Sequence, residues 1–168
     1  MLRTIRPLSA EHMVLGQFRG YRAEPGVDPE SQVPTYTALR LHVDSWRWQG
    51  VPFYLRAGKS MATTCTEVMI EFHNPPQVVF KEAAPPLGNY LRLRREHQRM
   101  EAYERLLGDA MAGDATLFVR QDVVEAAWAI VDPVIHGPSE LHEYEPGTWG
   151  PADADALTWD VGGWNTPW

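Results

Sequence analysis

A chain of 168 residues is long enough for one ordinary domain with its own core and short for two. With 44% hydrophobic and 22% charged residues it is not a mostly disordered polymer, and no apolar run approaches the roughly 18 residues that a membrane helix needs. The formal charge of −7 argues against general nucleic-acid binding, which needs a basic surface.

In chain order, residues 1–34 read as an irregular lead-in segment and loop, because Gly16, Gly20, Pro25, Gly26, Pro29 and Pro34 break any long element. Thr35 to Val43 alternates, with Leu39, Leu41 and Val43 on one face and Ala38, Arg40 and His42 on the other, which predicts a half-buried strand. Trp46 and Trp48 stand one strand period apart, so both rings are expected on one face, packed in a core or interface. Phe53 to Leu55 predicts a short strand. Thr66 to Phe72 alternates again, with Val68, Ile70 and Phe72 opposite Glu67, Met69 and Glu71, and Asn74-Pro75-Pro76 ends it. Tyr90 to Arg94 predicts another strand, Leu91 and Leu93 inward, Arg92 and Arg94 outward.

The period then changes. Tyr103, Leu106, Leu107, Ala110 and Met111 form a helical stripe stopped at Gly113-Asp114. Asp122 is placed to cap a second helix with Glu125 as its capping-box partner, and Val124, Ala127, Trp128, Val131 and Ile135 form its apolar stripe. Pro133 is expected to kink or shorten that helix, and a short helix is expected to open at Pro151. Strands first and helices later predict an α+β fold: an antiparallel β-sheet with helices packed on one face. Residues 35–157 make the domain and 158–168 a Trp- and Gly-rich tail.

Charge is uneven along this plan. All 15 Lys and Arg lie in residues 1–120, and residues 121–168 hold nine acids and no Lys or Arg, so the two parts should attract each other or face different partners. One cysteine, Cys65, rules out an internal disulfide or a multi-cysteine metal site. It has no neighbouring base in sequence, and reads as a small filler rather than a nucleophile. Met1-Leu-Arg-Thr-Ile-Arg-Pro has no apolar stretch behind its arginines, so no signal peptide is read and a cytoplasmic location is expected.

Most chemical motifs fail. Gly58-Lys59-Ser60 ends like a P-loop, but Phe53 stands where the loop needs its first glycine, and there is no G-x-G-x-x-G. His136 and His142 lie near carboxylates without metal-ligand spacing, and read as loop histidines; no metal is expected. Arg92, Arg94, Arg95 and Arg99 form a basic cluster, read as an acid-paired or solvated sheet face in preference to an anion site. Lys59 stands out because lysine is scarce, only Lys59 and Lys81 occurring in the chain. With Arg56 it follows a short apolar strand, where two cations can converge on an anion.

The run Asp44-Ser-Trp46-Arg47-Trp48-Gln-Gly50-Val51-Pro52-Phe53-Tyr-Leu-Arg56-Ala-Gly58-Lys59 resembles the signature of the C-terminal domain of glucose-6-phosphate dehydrogenases. Leu15-Gly16-Gln17-Phe18-Arg-Gly20-Tyr21 resembles the family's approach to this domain. Glu101-Ala102-Tyr103-Glu104-Arg105-Leu106-Leu107, Gly113-Asp114-Ala-Thr116-Leu117-Phe118-Val-Arg120 and Glu125-Ala126-Ala127-Trp128 resemble its helical part, and Gly147-Thr-Trp149-Gly150-Pro151-Ala-Asp153 its C-terminal stretch. The resemblance covers about residues 1–157.

It implies a large antiparallel sheet with helices on one face and a homodimer interface on the other. It implies that Lys59 contacts glucose 6-phosphate, that Arg56 belongs to the same substrate-binding motif or to a second, structural NADP site, and that the catalytic NADP is bound mainly by an N-terminal Rossmann domain absent here. No catalytic residue is therefore assigned in this chain, and a complementing Rossmann-domain chain is a conceivable partner. Two departures matter. Thr64 stands where many members carry a second basic substrate contact, and a strand-and-loop tract expected between Arg95 and Glu101 is reduced to a few residues, predicting a smaller sheet with an exposed edge. The alternative to a dehydrogenase half-site is an orphan interaction or dimerisation module, or a decaying remnant.

Overall fold

The computed structural model describes residues 2–73, 89–95, 102–115, 118–135, 137 and 140–167, with the backbone alone over 102–105. The expectations on Asn74-Pro75-Pro76, Lys81, Arg99, Glu101, Thr116, Leu117, His136 and the Tyr103 side chain lie outside the described residues.

The fold is α+β. Six strands are described, β1 (Met13–Phe18), β2 (Tyr36–His42), β3 (Pro52–Gly58), β4 (Thr66–Glu71), β5 (Tyr90–Arg95) and β6 (Leu141–Tyr144), with helices α1 (Ala102–Met111) and α2 (Gln121–Ile135). A 3-10 helix over Ala152–Leu157 opens behind Pro151, where a short helix is expected.

The strands form two sheets. One has the order β3-β2-β1-β6, and β4 pairs with β5 alone. Pairing is antiparallel except for β1 with β6, which run parallel, Leu15 opposite Leu141 and Phe18 opposite Tyr144. The sheet is thus mixed where a wholly antiparallel one is expected. β1 corrects the reading of residues 1–34 as irregular. Gly16 sits inside that strand, buried and tightly surrounded: a Cβ there would lie 3.2 Å from the Tyr144 ring and 3.3 Å from both the His142 carbonyl and Pro151. The glycine marks close approach of neighbours rather than a break.

The larger sheet is covered on both faces, by different material. Tyr36 and Ala38 point to a cluster with Tyr144, Ala154 and Leu157. Leu39 and Leu41 point the other way, onto Leu8, Ile130 and Val134, where α2 and the N-terminal residues Leu2 and Ile5 pack. Period-2 alternation assigns residues to faces correctly and cannot say that both faces are covered.

In the β4–β5 hairpin the expected direction is reversed. Val68 pairs with Leu93 and Ile70 with Leu91, and these side chains are 50%, 54%, 40% and 44% exposed. The opposite face holds the Arg92–Glu67 ion pair at 2.9 Å, with side chains only 18% and 7% exposed. The basic cluster is therefore acid-paired at Arg92, and it is the apolar face that lies open. Two smaller corrections concern turns. Trp46 and Trp48 lie in the turn between β2 and β3, not on a strand; Trp46 is fully exposed, and Trp48 packs edge-on against Phe53 at 5.3 Å. Asp122 lies inside the first turn of α2 and accepts from the Arg120 side chain rather than capping. Pro133 does not shorten α2, which runs on to Ile135, although without an N–H it cannot donate to the preceding turn.

Candidate substrate-contact site

The site is built from Tyr36 outward. Tyr36 is opposite Gly58 in the β2–β3 register and only 2% exposed. A Cβ on Gly58 would come within 2.8 Å of the Tyr36 ring and 3.0 Å of the Met61 sulfur. A Cβ on Gly150, which holds φ at +108°, would come within 2.3 Å of the same ring. Two glycines thus make the slot in which the tyrosine lies, and this is the structural reason for Gly58 in the Arg56-Ala-Gly58-Lys59 run. Burial pushes the Tyr36 phenol up to about 12, so it is neutral at every physiological pH.

Lys59 follows at the end of β3, and its backbone is held from both sides. Its N–H donates to the Thr35 carbonyl at 2.8 Å, and its carbonyl accepts from the Tyr144 hydroxyl at 2.7 Å. Tyr144 is itself buried and stands 3.2 Å from the Thr35 hydroxyl, which accepts from the Phe18 N–H at 2.9 Å. Ser60 then takes the left-handed conformation, φ 50°, and its carbonyl accepts from the Gly147 N–H at 2.7 Å. Met61 bridges Thr148, and the Ala62 N–H donates to the Thr148 carbonyl. The turn is stitched to residues 144–148 along its length, while the Lys59 side chain is exposed. Among the described residues its ammonium has no carboxylate partner. A fixed backbone with a free terminal cation is a point charge set out for an anion or for polar oxygens.

Arg56 is placed differently. Its guanidinium lies 4.7 Å from the Trp149 ring centroid and 5.1 Å from that of Trp164, and one terminal nitrogen donates to the Asn165 carbonyl at 2.9 Å. Burial holds its pKa below the ordinary arginine value. Neighbouring contacts continue the seam. Arg40 pairs with Asp160 at 2.9 Å, Tyr54 meets Trp164 edge-on, and the Trp164 indole N–H donates to the Ala154 carbonyl at 2.9 Å. The basic face of β2–β3 is thus bound to the C-terminal segment, which makes the attraction between the chain's two charge halves concrete. The structure therefore brings Arg56 to the C-terminal segment and leaves Lys59 facing solvent.

Thr64 is exposed, and Cys65 is half-buried. His142, read as a loop histidine, lies on β6 and pairs with Asp153 at 3.0 Å. Tyr36, Tyr144, Trp149 and Gly150 were not expected at the site. Gly147-Thr-Trp149-Gly150 is a conspicuous run in the sequence, but its partner is about 90 residues away in the chain, and no local pattern encodes that pairing.

Comparison with known proteins bears on this arrangement. The family described as glucose-6-phosphate dehydrogenase, C-terminal domain, matches residues 1–100 and 92–165. The two parts meet at the place where the expected strand-and-loop tract is missing. A glucose-6-phosphate 1-dehydrogenase of Aggregatibacter actinomycetemcomitans is 37% identical over 206 residues, covering 94% of this chain and 42% of that protein. One of Mycobacterium tuberculosis is 34% identical over 199 residues, covering all of this chain and 43% of that protein. The crystal structure of a Mycobacterium avium glucose-6-phosphate 1-dehydrogenase superposes with a TM-score of 0.89 at 40% identity, over 99% of this chain and 43% of that one. A second solved structure, a glucose-6-phosphate dehydrogenase in complex with glucose-6-phosphate, shares the fold at a TM-score of 0.73 and 21% identity. The chain spans 42–43% of the length of the first of these curated relatives.

Proposed function

Because the chain belongs to the glucose-6-phosphate dehydrogenase C-terminal-domain family, we propose that it is the substrate-contacting and dimerising part of an NADP-dependent glucose-6-phosphate dehydrogenase of the cytoplasm, with Lys59 as its contact to glucose 6-phosphate. One observation carries the reading: Lys59 is held by its backbone at both ends and, among the described residues, free at its ammonium, inside the family's own motif. The ammonium supplies charge to the phosphate or to sugar oxygens. Arg56 belongs to the same motif, and its stacking between two indoles suits it to fixing the C-terminal segment behind the turn.

The residues described hold no Rossmann-type dinucleotide cradle. Among them no glycine turn leads from a strand into a helix N-terminus, and the parallel pair β1–β6 is not a strand–helix–strand unit, its partners lying at opposite ends of the chain. Hydride transfer needs a nicotinamide held against the sugar and a base for its hydroxyl proton. Both would come from a part of the protein other than these residues, so the chain by itself is expected to be inactive.

Calorimetric titration of glucose 6-phosphate into the chain and into Lys59→Ala tests the assignment. Binding weakened at least about tenfold by the substitution is expected, the loss of one charge-assisted contact. Equal binding by both proteins removes Lys59 from the site, and reduction of NADP by the isolated chain overturns the proposed inactivity. The second reading, an interaction module that has given up ligand binding, is favoured by exposed Thr64 in place of a second basic residue. It predicts dimerisation without detectable sugar-phosphate binding.

A further inference from the structure

One face of the β2–β3 pair carries, in cross-strand order, Arg40 beside Tyr54, Ala38 beside Arg56 and Tyr36 beside Gly58. Two arginines with aromatic rings on one surface suit a nucleotide, which offers phosphate oxygens to the cations and a flat base to the rings. In this chain that surface is taken. The Arg56 guanidinium lies 5.1 Å from the Trp164 ring and 4.7 Å from the Trp149 ring, and donates to the Asn165 carbonyl at 2.9 Å. One step along the sheet, the Asp160 carboxylate accepts from Arg40 at 2.9 Å and from the Tyr54 hydroxyl at 3.4 Å. The tail is tied beyond these contacts as well, since the Asn165 amide donates to Glu71 at 3.1 Å and the Trp164 indole N–H to the Ala154 carbonyl at 2.9 Å. A ring over one arginine and an anion on the next are the two features by which a nucleotide would hold this face.

We propose that residues 158–167 are the built-in occupant of the place where the family resemblance allows Arg56 a second, structural NADP, and that this tail keeps a dinucleotide out. The inference goes beyond the assignment of Lys59 and does not depend on it. A base stacked on Arg56 requires Trp164 to leave, and a phosphate on Arg40 requires Asp160 to leave. The tail is covalently joined to the sheet it covers, so it returns at high effective concentration, whereas a free nucleotide loses its translational freedom on binding. Charge works in the same direction. No residue from 121 to 168 is basic, and Asp155 stands close enough to act electrostatically on both Arg56 and Tyr36. A phosphate approaching past the tail therefore meets carboxylates as well as arginines.

Titration of the whole chain with NADPH tests this, read by the fluorescence of the nucleotide and by the melting temperature of the chain. Because the described residues hold no Rossmann-type cradle, binding that depends on Arg56 reports this face. The wild type is expected to show neither signal at millimolar nucleotide. W164A/D160N removes the ring and the anion and leaves both arginines. It is expected to melt below the wild type and to bind NADPH at least about tenfold more tightly than the wild-type limit, and R56A/W164A/D160N is expected to lose that gain. D160N alone, at a side chain 32% exposed, is read in its place should the double variant not fold, with a gain of about threefold expected from loss of the competing anion. NADPH bound by the wild type and lost in R56A overturns the proposal, because the face would then be open. Binding no tighter in the folded variant than in the wild type, or a gain that survives the loss of Arg56, overturns it too, because the tail would then not be what excludes the nucleotide.

Discussion

At Lys59 the useful property lies in its neighbours. Gly58 lets the Tyr36 ring close over the strand, Tyr144 takes the Lys59 carbonyl, and Thr35 takes its N–H, so the ammonium starts from a fixed point. Gly58→Ala places a methyl group 2.8 Å from a buried aromatic ring. Gly150 already lies against the same ring, which is buried, so Tyr36 has little room to shift. A loss of about 1–3 kcal/mol of stability is therefore expected, read as a lower urea midpoint at unchanged slope. An unchanged midpoint would mean that the slot is looser than its distances indicate. His42 offers a pH-dependent counterpart. Burial, with Arg40, His12 and Arg6 nearby, holds its imidazolium pKa below the ordinary 6.5, against a smaller opposing pull from Asp44. The unfolded chain thus takes up a proton near 6.5 that the folded chain refuses until lower pH. Stability is flat above that region, falls as pH drops through it, and levels off below the folded-state value. His42→Gln should flatten this slope between neutral and mildly acidic pH in urea titrations; an unaltered slope would assign the dependence to another group.

Among the elements, the C-terminal segment is bound by side chains rather than by a strand ladder. Arg56 stacks between Trp149 and Trp164 and donates to the Asn165 carbonyl, while Arg40 holds Asp160. Arg56→Ala is expected to cost about 1–2 kcal/mol, from two cation–π contacts and a hydrogen bond partly shielded from water. It should also raise amide exchange over residues 158–167 while β1 and β2 stay protected. Exchange rising evenly through the chain would contradict that local role. These elements also show where sequence patterns reach and where they stop. Alternation located β2, β4 and β5 nearly to the residue, and helical spacing located α1 and α2. The length of β3 and the existence of β1 and β6 were hidden, because Gly16 marks a close approach that only β6 and Pro151 explain, and β6 has four residues. Alternation sorts side chains onto two faces; what covers each face depends on elements distant in sequence. That is why alternation points the hairpin's apolar side inward although it lies open, and why nothing local shows that Arg56 also meets the C-terminal segment. The motif Arg56-Ala-Gly58-Lys59 was legible as a motif. Its support by Tyr36, Tyr144 and Gly150 was not, since those contacts cross most of the chain.

For the whole molecule, the β4–β5 hairpin poses the question of what a protein does with an open apolar sheet face. Val68, Ile70, Leu91 and Leu93 form a cross-strand patch, continued by Phe72 at 54% exposure, and the other side is closed by Glu67 and Arg92. Cross-strand neighbours on one face lie close enough to act as a single surface, and a contiguous apolar surface of this kind marks an interaction site or an aggregation hazard. The Arg92–Glu67 pair occupies the opposite side, and turning the hairpin over would break it and unpair charge that is now shielded. Burial against an identical patch removes the apolar area from water without that penalty, and an isologous contact closes after two copies. The chain is therefore expected to sediment as a dimer whose population rises with concentration. I70S/L93S should be monomeric with an unchanged melting temperature, since both side chains are substantially exposed in the single chain. V124S/W128S on α2 should leave the dimer intact, because these side chains belong to a different element. A wild-type chain that stays monomeric at its highest soluble concentration would remove the hairpin as a dimer surface, and a dimer indifferent to I70S/L93S would place the contact elsewhere.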